Sequence, residues 1–229
     1  MSSVAAKLQQ VRTRIATACA TSQRPVQSVT LLAVTKTFGP QAVRDAYVAG
    51  QRAFGENYVQ EALEKMQSLV DLSGHIEWHL IGPLQSNKSR VVAESFDWVH
   101  TVDRLKIAER LSAQRPDNLP PLQVCLQVNI SDEPSKSGVA PADALALARA
   151  VAALPRLHLR GLMAIPEVHG DFAAQRAPHR ALARLLFDLN AAGLVLDTLS
   201  MGMSADLEAA IAEGATIVRV GSGIFGERS

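Results

Sequence analysis

The sequence predicts an α/β protein that folds as a single (β/α)8 TIM barrel with an extra N-terminal helix. Eight short apolar segments alternate with helix-like segments along the whole chain. Several of these segments are apolar on both faces, as strands of a helix-covered parallel sheet are. Parallel strands need long crossover connections, so the regular alternation indicates parallel pairing. The length of 229 residues is close to the ~250 residues typical of this barrel.

The first half of the chain supplies the leading helix and four strands. The predicted strands are LLAVTK (31–36), AFGEN (53–57), IEWHLIG (76–82) and WVHTVD (98–103). The predicted helices cover residues 3–22, 40–50, 58–70, 87–95 and 104–114.

The second half repeats this order. The predicted strands are LQVCLQVNI (122–130), HLRGLMAI (158–165), TLSMG (198–202) and TIVRVGSG (216–223). The predicted helices cover residues 141–154, 173–192 and 204–213. Because no Pro/Gly/Ser-rich linker divides the chain, residues 1–229 are expected to form one domain. The alternative, a doubly wound sheet, would need fewer strands and a crevice at a switch point.

Composition excludes several classes of function. Lys and Arg total 23 against 22 Asp and Glu, with no basic stripe, so no nucleic-acid partner is expected. No run reaches the ~20 apolar residues of a membrane span, and the polar start has no signal core, which favours the cytoplasm. Two cysteines are too few for a disulfide framework. His75 and His79 lie about 13 Å apart if both are in a strand, so no metal site is expected.

Lys36 at the end of the first strand is the first candidate binding residue. Strand alternation places it on the same face as Leu32 and Val34, so a barrel interior on that face would carry its amine into the mouth. An amine partly removed from water loses its proton more easily and can form a Schiff base with an aldehyde. The alternative is a lysine that simply leaves the strand into solvent.

Arg219 and the small residues after it predict an anion site at the same mouth. Strands one and eight are neighbours in a closed barrel, and an arginine between β-branched residues needs a partner. A structural salt bridge to Glu56 is the alternative role. Gly221-Ser222-Gly223 lets backbone N–H groups approach a phosphate, which this fold usually binds after strands seven and eight. Ser204 is predicted to cap the helix that follows strand seven.

Four more residues at strand ends have two readings each. His79 either lines the pocket or is a hydrogen-bonded core histidine. Met163 suits the pocket wall or the core equally well. Asn57 and Asn129 either bind a ligand oxygen or form turns. Lys136, on a loop, is most simply a solvated charge.

Seven segments, in order over nearly the whole chain, together resemble the pyridoxal 5′-phosphate (PLP) homeostasis protein family. They are AVTKTF, FGENYVQEA, WHLIGPLQSNK, VNISDEPSKSG, GLMAIPE, LSMGMSADLEAAI and VRVGSGIFGER. The combination is specific although each segment alone is weak. The resemblance implies a fold similar to the N-terminal barrel domain of alanine racemase. Loop 167–178 is less family-like, and its role stays open.

The resemblance also implies roles for the candidate residues. Lys36 corresponds to the lysine that holds PLP as a covalent aldimine, and Arg219 to the residue facing the pyridine nitrogen. Ser200, Ser222 and Gly223 correspond to phosphate-binding positions. Asn57, His79 and Met163 correspond to the pocket around the ring.

The expected function is a PLP carrier or reservoir in vitamin B6 homeostasis, with effects on amino-acid balance and no catalytic residue. Racemisation in alanine racemase needs a tyrosine from a companion domain, and no sequence remains here to build one. The resemblance implies a monomer, with PLP-dependent apo-enzymes as recipients. Two alternatives stay open: a single-domain amino-acid racemase, and a cofactor-free barrel that binds another phosphorylated metabolite.

Overall fold

Eight parallel strands follow one another in sequence order and close into a barrel. The computed structural model describes residues 3–131, 137–167 and 170–226. The strands are β1 (Thr30–Val34), β2 (Ala53–Glu56), β3 (Glu77–Leu80), β4 (Trp98–Val102), β5 (Leu122–Gln127), β6 (Leu157–Met163), β7 (Thr198–Ser200) and β8 (Ile217–Val220). The β1–β8 pairing, with Leu32 opposite Arg219, closes the barrel.

Helices follow the strands as the alternation predicts. They are α1 (Val4–Thr21), α2 (Pro40–Val48), α3 (Val59–Ser68), α4 (Ser89–Ser95), α5 (Leu105–Gln114), α6 (Ala144–Ala152), α7 (Phe172–Ala191), α8 (Leu207–Ala212) and α9 (Ser222–Phe225). The extra N-terminal helix is confirmed as α1, which begins at a cap where Ser3 Oγ accepts a hydrogen bond from the Ala6 N–H. None of the described helices is both long and apolar enough to cross a bilayer.

The (β/α)8 prediction is therefore confirmed, and the differences lie at element ends. Strand β1 ends at Val34, so Lys36 lies in the turn after it. The short helix α9 was not predicted. About half of segment 167–178 is helical, because α7 begins at Phe172 after an Asp171 cap. Val168, His169 and Lys136 lie outside the described residues.

The apolar core has two parts. A large cluster lies between the sheet and the helices and contains Phe54, Leu80, Leu111 and Leu122. We call this cluster the outer layer. A smaller cluster fills the inside of the barrel and consists of Leu32, Val34, Ala53, Ile81, Trp98, Cys125, Met163 and Ile217. The predicted inward face of β1 is confirmed, since Leu32 and Val34 both belong to this interior cluster.

Candidate functional site

A cavity of about 580 Å³ opens at the C-terminal ends of the strands. It is lined by Val34, Lys36, Phe38, Asn57, Ile81, Ile165, Met203, Ser204, Ala205, Arg219, Gly221, Ser222 and Gly226. This is the end of an α/β barrel where functional residues gather. We call it the mouth cavity. Five of the predicted site residues line it: Lys36, Asn57, Arg219, Gly221 and Ser222.

Lys36 lies half-buried in a tightly held turn after β1. Thr37 has a φ of +68°, a left-handed conformation that is uncommon for a β-branched residue. The turn is held on both sides of Lys36. The Thr37 N–H donates to Glu61 Oε1 at 2.6 Å, and the Thr35 carbonyl accepts from Lys65 Nζ at 2.6 Å. Such strain persists only where the surroundings enforce it.

The enforcing group is a buried cluster of charges under the turn. Lys65 is 3% exposed and bonds Glu56 at 2.7 Å and Glu61 at 2.6 Å. Thr35 donates its hydroxyl to Glu56 Oε1. Burial raises the pKa of Glu56, and the hydrogen bond from Lys65 opposes that rise. The predicted alternative of a salt bridge between Arg219 and Glu56 is wrong, because the side chain of Glu56 faces Lys65 on the outer side of the sheet.

Arg219 forms part of the cavity floor and is 4% exposed. Its guanidinium donates to Ser200 Oγ at 2.8 Å and to the Ala164 carbonyl at 2.9 Å. Burial lowers the pKa of Arg219 to about 10, and the charge of Asp206 opposes this shift. The group is therefore a cation at neutral pH. It makes no ion pair within 4 Å among the described residues.

The Gly221-Ser222-Gly223 segment presents hydroxyl and N–H groups beside the cavity. Ser222 Oγ and the Gly223 N–H both donate to Ser204 Oγ, at 3.3 and 3.4 Å. A Cβ on residue 221 would lie 3.1 Å from the Val34 carbonyl oxygen, so glycine allows this close approach. The prediction that Ser204 caps α8 is wrong: the cap position is Asp206, whose carboxylate accepts from the Met203 N–H at 2.7 Å.

Asn57 brings an amide to the lining of the cavity. Its Oδ1 atom is buried and accepts no hydrogen bond from the part of the chain that the structure describes. A buried amide oxygen without a donor is costly unless a ligand or water satisfies it. Gly82 lies against the Asn57 backbone so closely that a Cβ there would overlap the Asn57 carbonyl. Asn57 is thus fixed in place with an acceptor to offer.

Three predicted residues lie behind the cavity rather than in its lining. Met163 and Ser200 are fully buried, and His79 is 1% exposed. Ser200 Oγ accepts from Arg219 and also contacts His100 Nδ1 at 2.8 Å. His79 has the geometry of a hydrogen-bonded core histidine, because both of its ring nitrogens are engaged, one with His100 and one with Glu77. Gly223 lies at the rim next to Ser204.

Several residues of the site were not foreseen. Lys65 lies in the helix α3, where a lysine is expected at the surface, and no local signal marks its burial. His100 did carry a signal, since strand alternation puts it on the same face as Trp98. Asn129 lines a neighbouring cavity of about 280 Å³ that shares Asn57 with the mouth cavity.

A further cavity of about 510 Å³ lies on the outside of the barrel, among α1, α7 and α8. The arginines that line it are already paired: Arg14 with Glu208 at 2.8 Å, and Arg176 with Glu213. The mouth cavity is therefore the stronger candidate, since it combines a lysine amine, hydroxyl donors and an arginine that pairs with no carboxylate of the described residues.

Comparisons with known proteins agree on the kind of chain this is. The family described as "Alanine racemase, N-terminal domain" matches residues 7–229. The pyridoxal phosphate homeostasis protein of Pseudomonas aeruginosa is 60% identical over 228 residues, covering 100% of this chain and 97% of the relative. The protein of the same name from Escherichia coli is 53% identical over 229 residues, covering 100% and 98%.

Solved structures give the same fold. PipY of Synechococcus elongatus, solved with PLP bound, is 40% identical with a TM-score of 0.85, and the match covers 97% of this chain and 100% of PipY. An alanine racemase from Clostridium difficile is 12% identical with a TM-score of 0.72, covering 88% of this chain and 53% of the racemase. The second likeness concerns the barrel alone.

Proposed function

The chain belongs to the pyridoxal phosphate homeostasis protein family, and from this we propose that its mouth cavity binds PLP. One observation carries the proposal. Lys36, Arg219 and the Ser204–Ser222 pair line a single cavity at the C-terminal end of the barrel. These groups suit the three polar parts of PLP: Lys36 the aldehyde, Arg219 the pyridine nitrogen, and the two serines the phosphate.

We propose that Lys36 forms the covalent link. PLP supplies an aldehyde that condenses with an amine, with loss of water, to a Schiff base. The clamped turn fixes where the Lys36 stem leaves the backbone, so little motion is left to restrict on binding. Asn57 would accept a hydrogen bond from the ring hydroxyl at its buried Oδ1.

Arg219 would face the pyridine nitrogen. A guanidinium has only donors, so it can hydrogen-bond that nitrogen only while the nitrogen itself carries no proton. An unprotonated ring is a weaker electron sink. This arrangement supports binding and storage of the vitamer more than chemistry at an amino-acid carbon.

The phosphate would lie between the Ser204 and Ser222 hydroxyls and the Gly223 N–H. Their mutual hydrogen bonds of 3.3 and 3.4 Å are long and can be exchanged for shorter bonds to an anion. Ser200 has its oxygen engaged by Arg219 and His100, so we assign it to holding Arg219. Met163 and His79 would support the cavity from below.

The function that follows is a single-domain PLP carrier or reservoir without substantial turnover. In this proposal it acts in the cytoplasm as a monomer and passes PLP to apo-enzymes. It is supported by the donor-only partner at the ring nitrogen and by the names of the relatives.

The test is the absorption spectrum of the purified protein with added PLP, followed by borohydride reduction and peptide mass mapping. We expect one reduced pyridoxyl adduct, on the peptide that contains Lys36, and its complete loss in Lys36→Ala. The exposed Lys106→Ala variant serves as a control and should keep the adduct. An adduct spread over several lysines, or none, contradicts the proposal and favours a cofactor-free metabolite site.

A second assay separates the carrier from the racemase. The PLP-loaded protein is incubated with a panel of L-amino acids, and the formation of D-enantiomers is followed. Turnover that depends on Lys36 and well exceeds that of free PLP would replace the carrier by an enzyme.

A further inference from the structure

A chain of four hydrogen bonds crosses the barrel interior from Arg219 to Glu77. Arg219 Nη1 lies 2.8 Å from Ser200 Oγ, which lies 2.8 Å from His100 Nδ1. His100 Nε2 lies 2.9 Å from His79 Nδ1, and His79 Nε2 lies 2.7 Å from Glu77 Oε1. The three middle residues are at most 1% exposed.

This hydrogen-bond chain joins the two ends of the barrel. Glu77 is the first residue of β3, at the end away from the mouth, and its side chain is 49% exposed. Arg219 lines the mouth cavity at the other end. The inside of such barrels is commonly filled with branched apolar side chains. Buried polar groups are costly unless every one is paired, so each polar group of this hydrogen-bond chain is expected to have a partner.

The two ends fix the direction of the hydrogen bonds. Arg219 can only donate. The hydrogen bond that Glu77 accepts from His79 lowers the pKa of Glu77, so Glu77 is an ionised carboxylate that can only accept. Burial, together with the charge of Arg219, holds the pKa of His100 well below its ordinary value, so His100 is neutral and carries one ring N–H.

One proton arrangement satisfies all five groups. Ser200 accepts from Arg219 and donates its own hydrogen to His100 Nδ1. His100 Nε2–H then donates to His79 Nδ1, and His79 Nε2–H donates to Glu77. The opposite order would leave the Ser200 hydroxyl hydrogen without an acceptor among the contacts of the described residues.

The rings in the chain are also held in orientation. The His79 ring stacks on Trp98 with centroids 5.3 Å apart and planes 7° apart. The Arg160 guanidinium lies 5.0 Å from the centroid of the same indole and is paired with Asp197 at 2.7 Å. Locked rotamers of this kind are what a precisely placed functional group requires.

We propose that Glu77, His79, His100 and Ser200 are positioning residues that hold Arg219 against the mouth cavity. The inference rests on the proposed function, because its consequence is expressed in PLP binding. Arg219 has no carboxylate within ion-pairing distance in the described part of the chain. The carboxylate of Glu77 polarises each donor in turn, which makes Ser200 Oγ a stronger acceptor for Arg219. The far end of the barrel thus sets the geometry of the cofactor site.

The test is a double-mutant cycle on PLP affinity and on the absorption band of the bound cofactor. Glu77→Gln keeps an acceptor but removes the charge, and we expect about fivefold weaker PLP binding. His100→Phe interrupts the chain, and we expect binding weaker by about tenfold or more with a shifted band. Adding Glu77→Gln to His100→Phe should change the affinity by less than about twofold.

Two comparisons guard this result. Glu109→Gln removes an exposed carboxylate from α5 and should bind PLP as the wild type does. If His100→Phe does not fold, Ser200→Ala breaks the chain at another link and replaces it in the cycle. Wild-type affinity and spectrum in Glu77→Gln, or additive effects in the double variant, would overturn the proposal.

A measurement on the cofactor-free protein keeps this inference separate from the proposed function. Nitrogen-15 NMR of the imidazoles should show a proton on Nε2 of both His79 and His100 and none on either Nδ1. The opposite tautomer of His100 overturns the positioning chain even if PLP binds. If the tautomers are as expected and the wild type does not bind PLP, the proposed function fails. The hydrogen-bond chain then exists but has no role in PLP binding.

Discussion

The outer layer and the inside of the barrel are built on different principles. Outside the sheet, apolar residues such as Phe54, Leu111 and Leu122 pack against the helices in one continuous cluster. Inside, a small apolar cluster shares the space with His79, His100 and Arg219, all nearly inaccessible to solvent. The difference teaches that the outer layer supplies most of the stability, while the interior gives part of its volume to polar groups that hold one charge, the Arg219 guanidinium, at the mouth.

The largest effect is expected at the buried ion pair of Lys65 and Glu56 in the outer layer. Lys65→Met leaves the Glu56 carboxylate buried without its cation, and removing one partner of a buried pair costs about 3–5 kcal/mol. Urea unfolding should show this loss, and PLP binding should weaken because the Lys36 turn is no longer held. The exposed Lys106→Met variant is the control. Unchanged stability would mean that the cluster contributes nothing net.

Next in size is a cavity in the apolar part of the outer layer. Leu111→Ala removes a fully buried side chain from α5 and should lower the free energy of unfolding by about 3 kcal/mol. The PLP spectrum of the folded protein should not change. Leu105→Ala, on the same helix but 37% exposed, is the matched control and should cost much less. A changed spectrum in Leu111→Ala would break the proposed division between the two regions.

A pH-dependent effect is expected from Asp206, which accepts a hydrogen bond from His179 at 2.9 Å. Burial opposes its ionisation, but the hydrogen bonds from His179 and the Met203 N–H prevail, so the pKa of Asp206 lies below its ordinary value. Its contribution to stability is therefore complete above the unfolded-state pKa and is lost as the pH falls through the lower folded-state pKa.

Replacing Asp206 by Asn should flatten the acid side of the stability curve measured by urea unfolding between pH 2 and 6. The exposed Asp188→Asn variant on α7 should leave that slope nearly unchanged. Equal slopes in the wild type and Asp206→Asn would show that the folded-state pKa is not lowered.

The smallest effect is expected at the rim of the mouth cavity. Ser222→Ala removes one hydroxyl donor from the proposed phosphate site and should weaken PLP binding about threefold to tenfold. Stability should stay the same because Ser222 is exposed and its hydrogen bond to Ser204 is long. Ser73→Ala is a distant, exposed control. Equal PLP affinity in both variants would mean that the phosphate does not bind at this segment.

Most of the fold could be predicted from the sequence because the barrel repeats a local pattern. All eight strand segments and the leading helix were predicted, and the β1–β8 contact followed from closure. Errors fell at element ends, such as the end of β1 before Lys36 and the start of α8 at Leu207. Ends depend on single hydrogen bonds and caps, which the apolar periodicity does not report.

By itself, the sequence determined the alternation of strands and helices, the inward face of β1 and the neighbourhood of Lys36, Arg219 and the Gly221–Gly223 segment at one end. These follow from periods of two and 3.6 residues and from strand order. Only the tertiary structure decided that Lys65 is buried under the Lys36 turn and that Ser200 and His100 join Arg219 to Glu77. The Lys65 contact joins α3 to the carbonyl of Thr35 in the turn after β1, and the contact between Ser200 and His100 joins β7 to β4. Apolar periodicity reports neither contact, and the register of a closed barrel sets which side chains meet across its interior.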